Sequence, residues 1–188
     1  MTQFTLSAFA DEASPEFDRQ IAALHRKHIP LMEIRGVDGK GILDLTDEEL
    51  DVVEKKLAAG NISISAIGSP IGKIDIAGDL DEHIEKLKNT INVANILGAK
   101  YIRMFSFFVP VGHEDEYETQ VFAGMERMVE TARGTGVKLV HENEKAIFGD
   151  STDRCVRLME RFAPELGFAF DPSNFVQCEQ DTKAGFLR

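Results

Sequence analysis

The sequence has no tryptophan, only two cysteines and no long hydrophobic run, and these shortages exclude several classes of protein. Cys155 and Cys178 are too far apart for a metal-knuckle motif, and two scattered thiols fit a reducing compartment, where we expect them to be buried or idle. No apolar run reaches the roughly 18 residues that a membrane-spanning helix needs. The N-terminal residues have no basic region and include Asp11 and Glu12, which is unlike a signal peptide. We therefore expect a soluble, cytoplasmic protein whose core is built from 13 Phe residues and aliphatic side chains.

Basic residues are scarce relative to acidic ones, with 21 Lys and Arg against 32 Asp and Glu and a net charge of −11. A surface of this charge repels phosphate backbones, so we expect neither nucleic acid nor a membrane as a partner. A glycine-rich phosphate-binding turn is also missing. The first predicted strand is followed by ADEASPEF, and no GxGxxG or Walker sequence occurs in the chain. These absences argue against a nucleotide-binding sheet.

The sequence does contain a regular alternation of predicted strands and helices. Strands are predicted to begin near residues 4, 31, 62, 99, 137 and 166, and helices to cover 14–29, 45–60, 80–98, 114–136 and 152–163. The helix at 45–60 has a capping box formed by Thr46 and Glu49, and Gly60 ends it. A repeat of about 30 residues is typical of βα units in a parallel sheet. We predict a single domain over residues 1–188, either a closed (β/α)8 barrel or an open doubly wound sheet.

Polar residues follow the carboxyl end of every predicted strand. They are Asp11, Glu12, Glu33, Arg35, Ser69, Lys73, Arg103, Ser106, His141, Glu142, Asn143, Glu144, Asp171 and Asn174. In a β/α barrel this end of the strands forms the catalytic face. Carboxylates crowded together raise each other's pKa unless a cation lies among them, which favours a divalent metal here. Oxygen-rich ligands favour Mn²⁺ or Mg²⁺, and Co²⁺ or Zn²⁺ are also compatible.

The segment VKLVHENE at 137–144 carries the densest of these polar groups at the end of an apolar strand. Glu142 and Asp171 directly follow the most apolar strands and are the strongest candidates for functional residues. His141 alternates with Glu142, so it should face the opposite side, and we expect it to be structural and bonded to a neighbouring helix. For Glu144, as for the acidic pair after the first strand, a helix cap or a surface ion pair is an equally good interpretation.

Four short motifs occur in this order along the chain: MEIRG at 32–36, SPIGK at 69–73, HENE at 141–144 and FDPSNF at 170–175. Together they resemble the xylose isomerase-like (β/α)8 TIM barrels, the sugar and sugar-phosphate isomerases and epimerases, and the resemblance covers the whole chain. It implies a divalent-metal-dependent isomerase or epimerase of a sugar or sugar phosphate. In that chemistry a carboxylate removes a proton next to a carbonyl, and the metal stabilises the resulting enediolate.

The resemblance also implies roles for particular residues. Glu142 is expected to be a metal ligand and a catalytic base, and Asp171 a second metal ligand. Asn174 occupies a position at which many relatives have a substrate-contacting histidine. Substrate-binding roles are implied for four residues: Glu33, Lys73, Arg103 and Asn174.

This stretch is expected to supply about the first six βα units of the barrel. The His and Glu ligands that relatives carry after strands seven and eight are then missing from it. Two alternatives stay open: an abasic-site endonuclease-like DNA repair enzyme, which the five scattered histidines and the negative charge argue against, and a truncated, catalytically incomplete barrel. A six-unit barrel would expose strand edges, so a second copy of the chain is a candidate partner.

Overall fold

Strands alternate with helices along the chain in the computed structural model, which describes residues 4–187. The strands are β1 (Ser7–Ala8), β2 (Leu31–Ile34), β3 (Gly36–Val37), β4 (Lys40–Gly41), β5 (Ser63–Gly68), β6 (Tyr101–Met104), β7 (Lys138–Glu142) and β8 (Gly167–Ala169). The α-helices are α1 (Phe17–Lys27), α2 (Asp47–Ala59), α3 (Leu80–Ile96), α4 (Glu114–Ala132), α5 (Thr152–Phe162), α6 (Pro172–Gln177) and α7 (Thr182–Phe186). Six strands form one sheet in the order β1-β2-β5-β6-β7-β8, and β3 and β4 form a separate antiparallel hairpin.

The first of two compact units comprises residues 4–69 and 89–102. Its parallel ladder pairs β1 with β2 and β2 with β5, with an irregularity between Met32 and Glu33. The amphipathic helices α1 and α2 each bury one apolar face, and the predicted capping box of α2 is present. The core of this unit is formed by apolar side chains from both the helices and the strands: Phe17, Leu24, Met32, Ile34, Leu50, Val53 and Ile67.

The second unit comprises residues 70–88 and 103–187. Its strands β7 and β8 pair in parallel, with His141 opposite Phe168 and Glu142 opposite Ala169. Helix α5 is capped by Ser151 and buries one apolar face. The core of this unit is built from aromatic, Leu and Met side chains: Met104, Phe105, Met125, Met128, Leu139, Phe148, Leu158 and Phe175.

Backbone hydrogen bonds join three segments of the second unit that follow strands. Phe105 N–H donates to the Ile71 carbonyl and Phe107 N–H to the Gly72 carbonyl, both at 2.8 Å. Phe148 N–H in turn donates to the Phe107 carbonyl at 3.0 Å. Residues 71–76, 105–108 and 147–148 thus form a hydrogen-bonded layer, which we call the linked segments.

Most differences from the sequence-based prediction concern where elements begin and end. The strand predicted from residue 4 is reduced to Ser7–Ala8. The helix predicted to cover residues 14–29 begins at Phe17, and the Ser14 hydroxyl accepts a hydrogen bond from Glu16 N–H. The hairpin β3–β4 and the short helices α6 and α7 were not predicted, because two-residue strands and single-turn helices leave little periodicity in a sequence.

Candidate active site at the strand ends of the second unit

Arg103 on β6 and Glu142 at the end of β7 form an ion pair. The Arg103 Nε lies 3.1 Å from the Glu142 Oε2, and the two side chains are only 13% and 15% exposed. An ion pair this well shielded is sensitive to the loss of either partner, because removing one leaves a poorly hydrated charge. Glu142, for which the family resemblance implies the role of a catalytic base, therefore has its charge compensated by a neighbouring guanidinium.

A second ion pair and the first one share an aromatic neighbour, the ring of Phe105. Lys73 Nζ is 2.9 Å from Glu144 Oε2 and 4.2 Å from the centre of the Phe105 ring. The guanidinium carbon of Arg103 is 5.0 Å from the same ring centre. Phe105 is buried, and cations in contact with an aromatic face are stabilised by its quadrupole. Two cations and two carboxylates are thereby collected around one buried ring.

The residues after β8 form a compact hydrogen-bonded turn. Asp171 is the N-cap of α6, and its Oδ1 accepts a hydrogen bond from Asn174 N–H at 2.9 Å. The Asn174 side-chain amide donates to the Asn143 carbonyl at 3.0 Å. Asp171 and Asn174 are therefore held by contacts within the protein, and these contacts link them to the segment that carries Glu142.

His141 is fully buried and faces away from this cluster. Its Nε2 lies 2.9 Å from the Ser106 hydroxyl, and its ring stacks on Phe168. Burial lowers the pKa of His141 to about 3, so the ring is neutral at physiological pH. The structure agrees with a structural role, but the bonding partner is the Ser106 hydroxyl after β6 rather than a group on a helix. Gly149 explains the close packing, because a Cβ there would lie 2.4 Å from the His141 ring.

Two residues that support the site were not identified from the sequence. His83, on α3, is buried, and its Nε2 accepts a hydrogen bond from Gly72 N–H at 2.8 Å. Gly72 has a φ of +86°, and a Cβ there would lie 1.9 Å from the Phe105 carbonyl oxygen. The hydrogen bond between Gly72 and His83 holds the turn that ends in Lys73. The glycine in SPIGK was the available signal, whereas a histidine on a helix has no pattern that reveals such a role.

Asn143 is a third residue that sequence reasoning left without a role. It is 0% exposed although it lies in the polar HENE cluster. Its side-chain amide bonds to both backbone polar groups of Asp171. A polar residue directly after a strand was the visible signal, but the sequence does not show which partner it selects.

The remaining predicted site residues belong to the first unit. Glu33 is half-buried on β2. Arg35 donates from Nε to Asp11 at 2.8 Å and from a terminal nitrogen to Glu12 at 2.9 Å, and it lies over the Phe9 ring. The hydrogen bond to Asp11 raises the pKa of Arg35 further above its ordinary value. These contacts agree with the ion-pair interpretation of Asp11 and Glu12.

The described residues do not make up a complete metal site. Within residues 4–187, no group of three or more His, Cys, Asp or Glu side chains is placed to hold one ion. Glu142 and Asp171 are thus at most part of a ligand set, and one oxygen of each already accepts a hydrogen bond from another residue. Both cysteines are free thiols, and burial raises the pKa of Cys155 to about 12, which makes it a poor ligand at neutral pH. No helix in the described range is long and apolar enough to span a bilayer.

Comparison with known proteins agrees with this geometry. The family model for the xylose isomerase-like TIM barrel matches residues 29–186. The chain belongs to this family. The predicted fold class, a (β/α)8 barrel of which this chain supplies about six βα units, is confirmed by the family match and by structures that align over nearly the whole chain. No curated protein matches the sequence.

Three solved structures illustrate the similarity. The probable 3-DHS dehydratase AsbF of Bacillus anthracis superimposes with a TM-score of 0.81 at 15% identity, covering 99% of this chain and 69% of that one. The IOLI protein, solved with a bound zinc atom, gives a TM-score of 0.75 at 14% identity, covering 94% and 65%. An L-ribulose 3-epimerase gives 0.69 at 19% identity, covering 96% and 64%. The xylose isomerase-like chain therefore spans about two thirds of the length of these structures, and identities this low show a shared fold only.

Proposed function

We propose that this xylose isomerase-like protein is a cytoplasmic isomerase or epimerase of a sugar or sugar phosphate, with Glu142 as the catalytic base. The observation that carries the proposal is the shielded Arg103–Glu142 ion pair at the carboxyl ends of β6 and β7. Catalytic groups of β/α barrels lie at these strand ends. The similarity in fold to an L-ribulose 3-epimerase supports the same class of chemistry.

The chemistry assigned to Glu142 is removal of a proton from the carbon next to a carbonyl group. Return of a proton to the same carbon from the opposite face gives an epimer, and return to the adjacent carbon converts an aldose into a ketose. Arg103 orients the Glu142 carboxylate, and its guanidinium provides positive charge near the oxygen on which negative charge develops. Lys73 and Asn174 are proposed to contact the hydroxyl or phosphate groups of the substrate.

A divalent ion is part of the proposal, with Glu142 and Asp171 as two of its ligands. Bound zinc in the IOLI structure supports a metal in this fold, and Mn²⁺, Mg²⁺ and Co²⁺ also suit carboxylate ligands. When bound, such an ion polarises a carbonyl group and stabilises negative charge on its oxygen. Within residues 4–187, no third His, Cys, Asp or Glu side chain joins these two in a ligand group.

A dehydratase reaction is the second candidate, because AsbF, a probable 3-DHS dehydratase, superimposes over 99% of this chain. Dehydration of a β-hydroxy carbonyl compound begins with the same proton removal. The β-hydroxyl group then takes up a proton and leaves as water, and a carbon–carbon double bond forms. Glu142 has the same role in both reactions. Only the product distinguishes them, so both can be tested in one assay.

Exchange of substrate hydrogen with D₂O tests the proposal. A panel of aldoses, ketoses, their phosphates and 3-DHS is incubated with the protein and Mn²⁺, and deuterium next to the carbonyl is followed by NMR. Glu142→Gln, which keeps the volume and removes the charge, should abolish exchange. Glu165→Gln makes the same change at an exposed position and should not affect it. Exchange that is unchanged in Glu142→Gln would contradict the assignment of the base.

A further inference from the structure

Asn143 makes a peptide-like pair of hydrogen bonds with the backbone of Asp171. Its Nδ2 donates to the Asp171 carbonyl at 2.8 Å, and its Oδ1 accepts from Asp171 N–H at 2.8 Å. The backbone pairing between β7 and β8 ends one residue earlier, at Glu142 and Ala169. The Asn143 side chain therefore continues the connection between the two strand ends where the regular ladder stops.

The carbonyl group of Asn143 takes part in the same network. It accepts a hydrogen bond from the Asn174 side chain at 3.0 Å, while Asn174 N–H donates to the Asp171 carboxylate at 2.9 Å. Three residues are thus closed into a ring of four hydrogen bonds. Because Asn143 is 0% exposed, each of its polar side-chain atoms needs a protein partner, and each has one.

Strand geometry shows what this ring positions. Residues two apart along a strand point to the same face of the sheet. Glu142 is paired with Ala169, and Asp171 lies two residues beyond Ala169 with extended backbone angles. The side chains of Glu142 and Asp171 therefore lie on one face, and Asn143, adjacent to Glu142, lies on the other.

We propose that Asn143 is a positioning residue that sets the spacing between the Glu142 and Asp171 carboxylates. This inference rests on the proposed function, because it assigns a purpose to the same two carboxylates. Asn143 touches neither substrate nor metal in this role. It acts by locking the end of β8 against the end of β7, so that both carboxylates face one point.

Only an amide of this length fits the arrangement. A carboxylate at position 143 has no donor for the Asp171 carbonyl, so Asn143→Asp places two acceptors against each other in a buried position. Asn143→Ala removes both hydrogen bonds without adding a charge. The alanine variant is therefore the second test if the aspartate variant fails to fold.

Amide hydrogen exchange tests the lock itself. In the wild-type protein we expect slow exchange at the Asp171 N–H, and in Asn143→Asp or Asn143→Ala exchange at least ~10-fold faster at this amide. Asn92→Asp makes the same chemical change on the exposed face of α3 and should leave the Asp171 amide unchanged. Equal protection of the Asp171 amide in the wild type and Asn143→Ala would overturn the proposal.

Mn²⁺ titration followed by electron paramagnetic resonance tests the consequence for the carboxylates. We expect the Asn143 variants to bind Mn²⁺ 10- to 100-fold more weakly, the range typical of residues that support metal ligands. Leu158→Ala, which removes a fully buried side chain on α5, is the stability control and should retain Mn²⁺ affinity. An equal loss of Mn²⁺ affinity in Leu158→Ala would show that Asn143 has only a structural role and would overturn the proposal.

If the wild type neither binds Mn²⁺ nor exchanges substrate hydrogen, the proposed function fails, whereas the amide measurement still decides whether Asn143 locks the strand ends.

Discussion

His83 and Gly72 are joined by a buried hydrogen bond in which the backbone N–H donates to the imidazole Nε2 at 2.8 Å. The bond requires a neutral imidazole, since a protonated ring has no acceptor. It holds the turn between Ser69 and Lys73, whose ammonium group pairs with Glu144. One helix residue thus holds the turn that leads into a predicted substrate-binding lysine.

The turn at Gly72 should not accept a side chain. Gly72→Ala forces a Cβ to within 1.9 Å of the Phe105 carbonyl oxygen at a φ of +86°, so we expect a loss of at least ~3 kcal/mol in the free energy of unfolding. Gly134→Ala is the matched control, with a φ of +75° and no atom within 4 Å of the added Cβ. The free energy of unfolding of Gly134→Ala should fall by about 1 kcal/mol. Urea denaturation of both variants measures the difference. Equal losses in the free energy of unfolding would show that small backbone shifts remove the clash with Phe105.

Stability should fall as the pH decreases below about 6.5, the ordinary pKa of histidine. Burial lowers the pKa of His141 to about 3 and also lowers the pKa of His83, so the unfolded chain binds more protons than the folded protein in this range. The stabilisation is complete above about 6.5 and is lost progressively as the pH falls towards the folded-state values. Each neutral histidine contributes up to ~1.4 kcal/mol per pH unit.

His83→Gln separates the two contributions, because glutamine accepts the same hydrogen bond without titrating. Between pH 6.5 and 5.5 its stability should decline less steeply than that of the wild type, as measured by denaturant midpoints. If the stability of His83→Gln declined with pH as steeply as that of the wild type, His83 would be protonated in the folded protein.

The Arg103–Glu142 pair should show strong energetic coupling. Because both side chains are mostly shielded, we expect a coupling energy of about 1–3 kcal/mol from a double-mutant cycle of Arg103→Gln and Glu142→Gln. The exposed pair of Glu130 on α4 and Arg133, the C-cap of that helix, is the control cycle and should give less than ~0.5 kcal/mol. Similar coupling in both cycles would show that Glu142 is solvated like a surface residue.

Asp171→Asn should separate the structural and metal-binding roles of this residue. Asparagine caps helices as well as aspartate does, so the free energy of unfolding should change by less than ~0.5 kcal/mol. A metal that uses the carboxylate should bind well over ~10-fold more weakly, since loss of a ligand costs more than loss of a supporting residue. Asp181→Asn makes the same change at the N-cap of α7 and is the control in a Mn²⁺ titration. Unchanged Mn²⁺ affinity in Asp171→Asn would remove it from the ligand set.

The alternation of strands and helices was predictable because it depends on local periodicity. The capping box of Thr46 and Glu49 is found where the sequence places it. The opposite orientation of His141 and Glu142 follows from strand alternation alone and agrees with the full burial of His141. Such features depend on residues that are neighbours in the chain.

The partners of these residues were not predictable in the same way. Asn143 bonds to Asp171, which is 28 residues away, and Lys73 bonds to Glu144, which is 71 residues away. Which polar group meets which depends on strand register and on turns such as that at Gly72. For the same reason the sequence proposed a helix as the partner of His141, whereas Ser106 on a neighbouring loop is the group within reach.

The linked segments constrain how this protein can acquire new specificities. Residues 71–76, 105–108 and 147–148 share backbone hydrogen bonds, so an added or deleted residue in one shifts the pairing of the others. Loops in β/α barrels commonly diverge by changes in length, which leave the scaffold intact. Here a change in length would disturb the positions of Lys73 and Phe105 together. Adaptation to a new substrate should therefore proceed by side-chain replacement within these segments, and directed evolution of this region should use substitution libraries rather than loop grafts.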